Sequence, residues 1–165
     1  MTPIFTNLPL TCFLLGEALI REAELFWEEG APADLQFGPE TERFAKFLKG
    51  RLAAGGIDDP YVEEVLAFEL AINGLRVASR AHVDQLEARA AEHDGTNVRL
   101  HPLARVVRFD HDPLTLLESL GERRPPEVEP ERGAFFLVLD ARDGEIKLSQ
   151  IEPEHAMPFV RARRP

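Results

Sequence analysis

The sequence predicts an α+β protein in which a helical lobe, residues 1–95, precedes a small antiparallel β-sheet lobe with a short helix, residues 96–165, the two sharing one continuous core. Three observations carry that expectation. Apolar residues recur at helical spacing in the first part and in strand-like runs in the second. The charge divides at the same place, with a net charge of −9 over residues 1–95 and −1 over residues 96–165. Asp143-Gly144 stands between two runs of strand formers, the composition of a β-hairpin turn. With 165 residues, 44% of them apolar, the chain can bury a core without disulfide or metal staples.

The first helix is expected from about Leu10 to Glu29, where Phe13, Leu14, Glu17, Ile20 and Glu24 follow the helical period and Gly30 and Pro32 end it. A second is expected from about Pro39 to Ala53, with Phe44, Phe47 and Leu48 on one face and Gly55-Gly56 beyond its end. The third begins after Asp58 or Asp59, with Pro60 at its first position, and runs toward His93. Its apolar residues form two arcs: Tyr61, Val65, Phe68, Ile72 and Leu75 in one, Val62, Leu66, Leu70 and Val77 in the other. Glu69, Asn73 and Arg76 stand in a row between the arcs. They read as a structural polar ladder, as a contact for a partner, or, at Glu69 alone, as a carboxyl of raised pKa between Phe68 and Leu70.

The run VRLHPLARVVRF, Val98 to Phe109, opens the second part as an extended segment. Pro102 interrupts it and belongs on an edge or at a bulge, because it has no amide to donate. The run contains no acid and carries Arg99, Arg105 and Arg108. These arginines are either the solvated side of a strand, paired with the acidic lobe, or a docking edge that selects an acidic peptide. Asp112-Pro113 opens a short helix to about Leu120, and Gly121 to Gly133 is a Pro- and charge-rich loop. AFFLVLD, Ala134 to Asp140, is apolar almost throughout, as for a strand covered on both faces. EIKLSQI, Glu145 to Ile151, interleaves Lys147, Ser149 and Gln150 with apolar residues and is the better sheet edge.

Composition narrows the functional classes. The net charge of −10 opposes the phosphate backbone of nucleic acid, so no nucleic-acid partner is expected. No apolar run approaches the roughly 18 to 20 residues that span a bilayer, and the patch from Leu8 to Leu15 lacks the preceding basic residue of a signal peptide. Cys12 is the only cysteine, which rules out an intrachain disulfide or a cysteine-based zinc site and fits a cytoplasmic protein. Catalytic constellations are missing as well. Gly55-Gly56 lacks the context of a phosphate loop, there is no G-x-S-x-G elbow, and His82, His93, His101 and His155 lack metal-ligand spacing. His111-Asp112 imitates one pair of a metal-dependent phosphohydrolase, but Asp110 or Asp112 also reads as the cap of the helix at Pro113. No catalytic residue and no metal ligand is assigned.

Three stretches together resemble a known family: YVEEVLAFELAINGLRVASRAH, NVRLHPLARVVRFDHDPLTLLESL and FFLVLDARDGEIKLSQIEPEHA. The likeness runs from about Phe37 to Met157. It consists of a helix with Tyr61 and Glu69, a Leu-His-Pro strand at Leu100 to Pro102, and a strand, Asp-Gly turn and strand ending at Glu152-Pro153-Glu154. The chain is similar to the partner proteins of multinuclear non-heme iron-dependent oxidative enzymes that modify cysteine-containing ribosomal peptides, as in methanobactin and thiaglutamate biosynthesis. The resemblance implies a non-catalytic subunit, heterodimeric with the iron oxidase, whose β lobe is akin to a peptide-recognition element. It would bind the leader of the precursor peptide and present the core, with iron held by the oxidase and no cofactor in this chain. The residues expected to meet the leader are Arg99, His101, Arg105, Arg108, Lys147 and Leu148. The alternative is a small DNA-binding or protein-adaptor regulator without an oxidase partner.

Overall fold

The computed structural model describes residues 3–29, 37–81 and 101–156. The fold is α+β, with N-terminal helices preceding a three-stranded antiparallel sheet. The helices α1 (Pro3–Asn7), α2 (Pro9–Leu15), α3 (Ala18–Glu28), α4 (Phe37–Ala53) and α5 (Val62–Ala81) come first. They are followed by β1 (Ala104–His111), α6 (Pro113–Gly121), β2 (Arg132–Asp140) and β3 (Lys147–Ile151). Two compact units divide the chain, Met1–Leu70 with Leu117–Glu127, and Ala71–Leu116 with Val128–Pro165. Among the described residues no helix is long and apolar enough to cross a membrane.

In the first unit, Ile4, Leu8, Cys12, Leu15, Leu19, Phe26, Phe44, Ala45, Leu48, Val62 and Leu66 form one buried cluster. Phe26 packs edge-on against Phe44, with ring centroids 5.2 Å apart, and Phe47 stacks on Phe44 at 6.1 Å. A charge lies in this core: Glu22 is 1% exposed and takes a two-pronged bond from Arg51, Nε at 2.8 Å and Nη2 at 3.1 Å. The fork matches the carboxylate geometrically, and pairing is what makes such a burial tolerable.

The single helix expected over residues 10–29 is in fact broken. Gly16 adopts φ +49°, a left-handed conformation that ends α2, and its amide closes on the carbonyls of Cys12 and Phe13. The apolar period continues across the break and conceals it. α4 stops at Gly55-Gly56 as expected, with Gly55 at φ +68°. Asp59 caps α5: its carboxylate accepts the amides of Tyr61 at 2.8 Å and Val62 at 3.1 Å. The extension of α5 toward His93 lies outside the described residues. Val62, Val65, Leu66, Phe68 and Leu75 of α5 are buried, whereas Val77, expected in an apolar arc, is 66% exposed.

In the second unit β2 is central, paired antiparallel with β1 on one side and β3 on the other. Its own sequence requires this position: Phe136, Leu137 and Leu139 are buried on alternating and opposite faces. Of the extended segment expected over Val98 to Phe109, residues 98–100 lie outside the described residues, and β1 begins at Ala104. Pro102 lies in the preceding turn, closed by the Ala104 amide on the His101 carbonyl at 2.8 Å, and not within the strand. The ladder with β2 is irregular between Phe109 and His111. Asp112 caps α6, accepting the amides of Leu114 and Thr115 at 3.3 Å each. The β2–β3 connection turns through Asp143-Gly144, where Gly144 takes φ +87° and its amide bonds the Ala141 carbonyl at 3.1 Å.

Candidate functional site

Among the described residues the sheet leaves two edges, β1 and β3, and the residues expected to meet a peptide, Arg99 apart, fall on or beside them. β3 is the more open. Lys147, Leu148, Ser149 and Gln150 are all exposed, Ile151 is half-buried, and among the described residues no further strand pairs beyond β3. β1 is less accessible as a template: Ala104, Val107, Phe109 and His111 are buried and its pairing is interrupted near its end.

The register distributes the cations over two faces. Arg105 pairs with Leu139, which pairs with Leu148, so these three share one face. Arg108 lies across from Phe136 and Ile151, and Lys147 across from Asp140 and Ala104, on the other face. The Arg105 guanidinium curls back to donate to the carbonyls of Pro102 and Ala104, both at 2.7 Å. Arg108 pairs with Asp110 at 2.7 Å, and Lys147 with Asp143, which raises the lysine pKa. Both pairs are exposed, hence weak and open to exchange with an incoming carboxylate. His101 is not on the sheet; its Nδ1 accepts the Leu103 amide at 3.1 Å in the turn before β1. Arg99 lies outside the described residues.

Glu69 is only 4% exposed and turns to a partner far away in sequence. Its two carboxylate oxygens accept the amides of Leu10 at 2.7 Å and Thr11 at 2.9 Å, the second and third residues of α2. Leu8, at the N-cap, has no side-chain oxygen to offer, so Glu69 satisfies two donors that the helix would otherwise leave buried and unpaired. Burial raises the Glu69 pKa, opposed by these amides and by the charge of Arg123. The buried Thr11 hydroxyl lies near the same carboxyl without a hydrogen bond of normal geometry. Farther along α5, Asn73 is half-buried and Arg76 is exposed.

Cys12 adjoins this group. Burial, together with the Glu69 charge, pushes its thiol up to about 12, so it is protonated at neutral pH and packs as a small apolar side chain. His111 is buried in β1, and the Asp112 carboxylate is engaged as a helix cap. Among the described residues no three His, Cys, Asp or Glu side chains gather as a metal-ligand set. The Glu22–Arg51 pair was not anticipated, since the partners lie 29 residues apart and no local pattern links them.

Compared with protein-family models, with curated proteins and with solved structures, the chain matches none.

Proposed function

We propose that this chain is a non-catalytic partner subunit that takes the leader of a ribosomally made, cysteine-containing peptide as a fourth strand on β3. The peptide's core is thereby presented to a separate multinuclear non-heme iron oxidase, which carries the iron and the chemistry. The observation that carries the reading is the edge of β3, which no other described strand covers and four of whose five side chains are exposed. Strand addition would satisfy the outward amides and carbonyls of that edge by backbone hydrogen bonds, which give affinity irrespective of sequence. Selectivity then falls to the side chains. Alternate residues of the leader would meet Leu148 on one face and Lys147 on the other, where a leader carboxylate can displace Asp143. The resemblance of its segment order to that of the partner proteins of iron-dependent peptide-modifying enzymes supports the same reading.

Co-expression of the tagged chain with candidate iron oxidases and short Cys-bearing peptides, followed by affinity purification, tests it. Retention of both an oxidase and a peptide is expected. Retention of neither overturns the reading.

A further inference from the structure

α3 turns Leu19, Glu22 and Phe26 into the core and presents a different kind of surface beside them. There Ile20 is 69% exposed and Trp27 is 49% exposed, seven residues and so two turns apart, with the half-buried Ala23 between them. Single apolar residues on a surface are ordinary. A tryptophan and an isoleucine aligned at i and i+7 on one helix face are the spacing by which helices anchor partners.

A row of acids runs alongside this stripe, farther from the buried face. Glu17, whose backbone is already helical at φ −65° and ψ −27°, is followed by Glu24 seven residues on and Glu28 four beyond that. All three are exposed, and among the described residues none makes an ion pair or a side-chain hydrogen bond. Arg21 is the one cation of α3, so three carboxylates against one guanidinium leave two negative charges in excess.

The two rows define what can cover them. α3 spends its amides and carbonyls within the helix, so a partner is held through side chains alone, and another helix matches a straight row two turns long. Its apolar side must meet Ile20 and Trp27, and its flank must be cationic. A second copy of this chain would bring Glu17, Glu24 and Glu28 against the same acids, and an anionic membrane would be repelled likewise.

We infer that this face of α3 docks a basic amphipathic helix of a partner protein. The surface lies within the first unit and does not depend on the peptide reading of β3.

Trp27 is the only tryptophan in the chain, so its emission reports on this face. The full chain is titrated with a synthetic helix of leucine and lysine about four turns long, its leucines on one side. The controls are the same helix with glutamate for lysine, and a scrambled leucine-lysine peptide without an apolar side. The leucine-lysine helix should shift the emission to the blue and saturate at one per chain, and neither control should do so. Glu17→Lys with Glu24→Lys should weaken binding roughly tenfold. Glu145→Lys with Glu154→Lys, the same change of net charge on exposed residues of the second unit, should leave it nearly unchanged. Ile20→Ser should also weaken it about tenfold while keeping the parent's Tm, because the side chain is exposed without a partner. The inference is overturned if the leucine-lysine helix leaves the emission unmoved, if a control peptide matches it, or if both pairs of charge reversals weaken it alike, which would mean attraction by net charge only. It is overturned too if the emission moves to the blue on concentrating the chain alone, which would make a second copy the occupant.

Discussion

Glu69 Oε1 accepts the amide of Leu10 at 2.7 Å across 59 residues of sequence, and Oε2 accepts the neighbouring amide of Thr11. The carboxylate thus performs for α2 the service that a Ser or Asp N-cap performs for other helices, but from the middle of α5. Replacing it by glutamine puts an NH2 donor against one of those two amide donors. An N–H left buried and unsatisfied costs about 1–3 kcal/mol, so Glu69→Gln should lower stability by that amount in urea denaturation followed by far-UV circular dichroism.

The same carboxyl gives a pH signature. Burial raises its folded-state pKa above the ordinary 4.5. A group raised in this way contributes stability that is complete below its unfolded value and is lost as pH rises through the folded one. Glutamine does not titrate. The stability gap between the parent and Glu69→Gln should therefore be widest in acid and narrow toward neutral pH; a gap that widens toward neutral would refute the assignment.

Asp140 has the opposite sign. The Arg142 guanidinium and backbone amide both donate to it and hold its carboxyl down at about 2, against an ordinary 3.8. Its contribution is present above 3.8 and is lost as pH falls through about 2. Asp140→Asn should lower the urea midpoint at pH 7 slightly, as the pair is largely exposed, and that deficit should shrink as pH falls through about 2.

Local chemistry made part of this fold legible in the sequence. Asp59, Asp112, Gly55 and Asp143-Gly144 act on backbone within three residues of themselves, and each stands at the boundary where its chemistry predicts one. The hydrophobic evenness of Ala134 to Leu139 likewise marked the central strand. Long-range partners left no such trace: the Glu69 cap and the Glu22–Arg51 pair require the tertiary fold to bring them together. Two features were legible and yet misread. A spacing of three puts Arg105 and Arg108 on opposite faces of any strand, so one run of arginines does not make one basic surface. Gly16 interrupts a helical period that looks continuous on either side of it.

Gly16 is testable by itself. A Cβ there would meet only the Phe13 carbonyl, at 3.8 Å, so space is not what demands glycine. The demand comes from φ +49°, a conformation that L side chains reach at a cost of about 1–3 kcal/mol. Gly16→Ala should lose stability of that order by chemical denaturation, without the far-UV spectrum losing helix.

The edge of β3 distinguishes its two sides through proline. Successive amides of a strand point in opposite directions, so of Leu148 and Ser149 one directs its N–H toward β2 and the other outward. Proline removes that donor at either position. Leu148→Pro and Ser149→Pro should therefore behave differently: one breaks a ladder bond and lowers the Tm, while the other leaves the Tm close to the parent's and removes only an edge donor. If a peptide adds to β3, the variant with the preserved Tm is the one that fails to retain it in affinity purification. Peptide retention by that variant at the parent's level would move the docking edge away from β3, and the corresponding pair on β1, Val106→Pro and Val107→Pro, would then identify whether β1 takes its place.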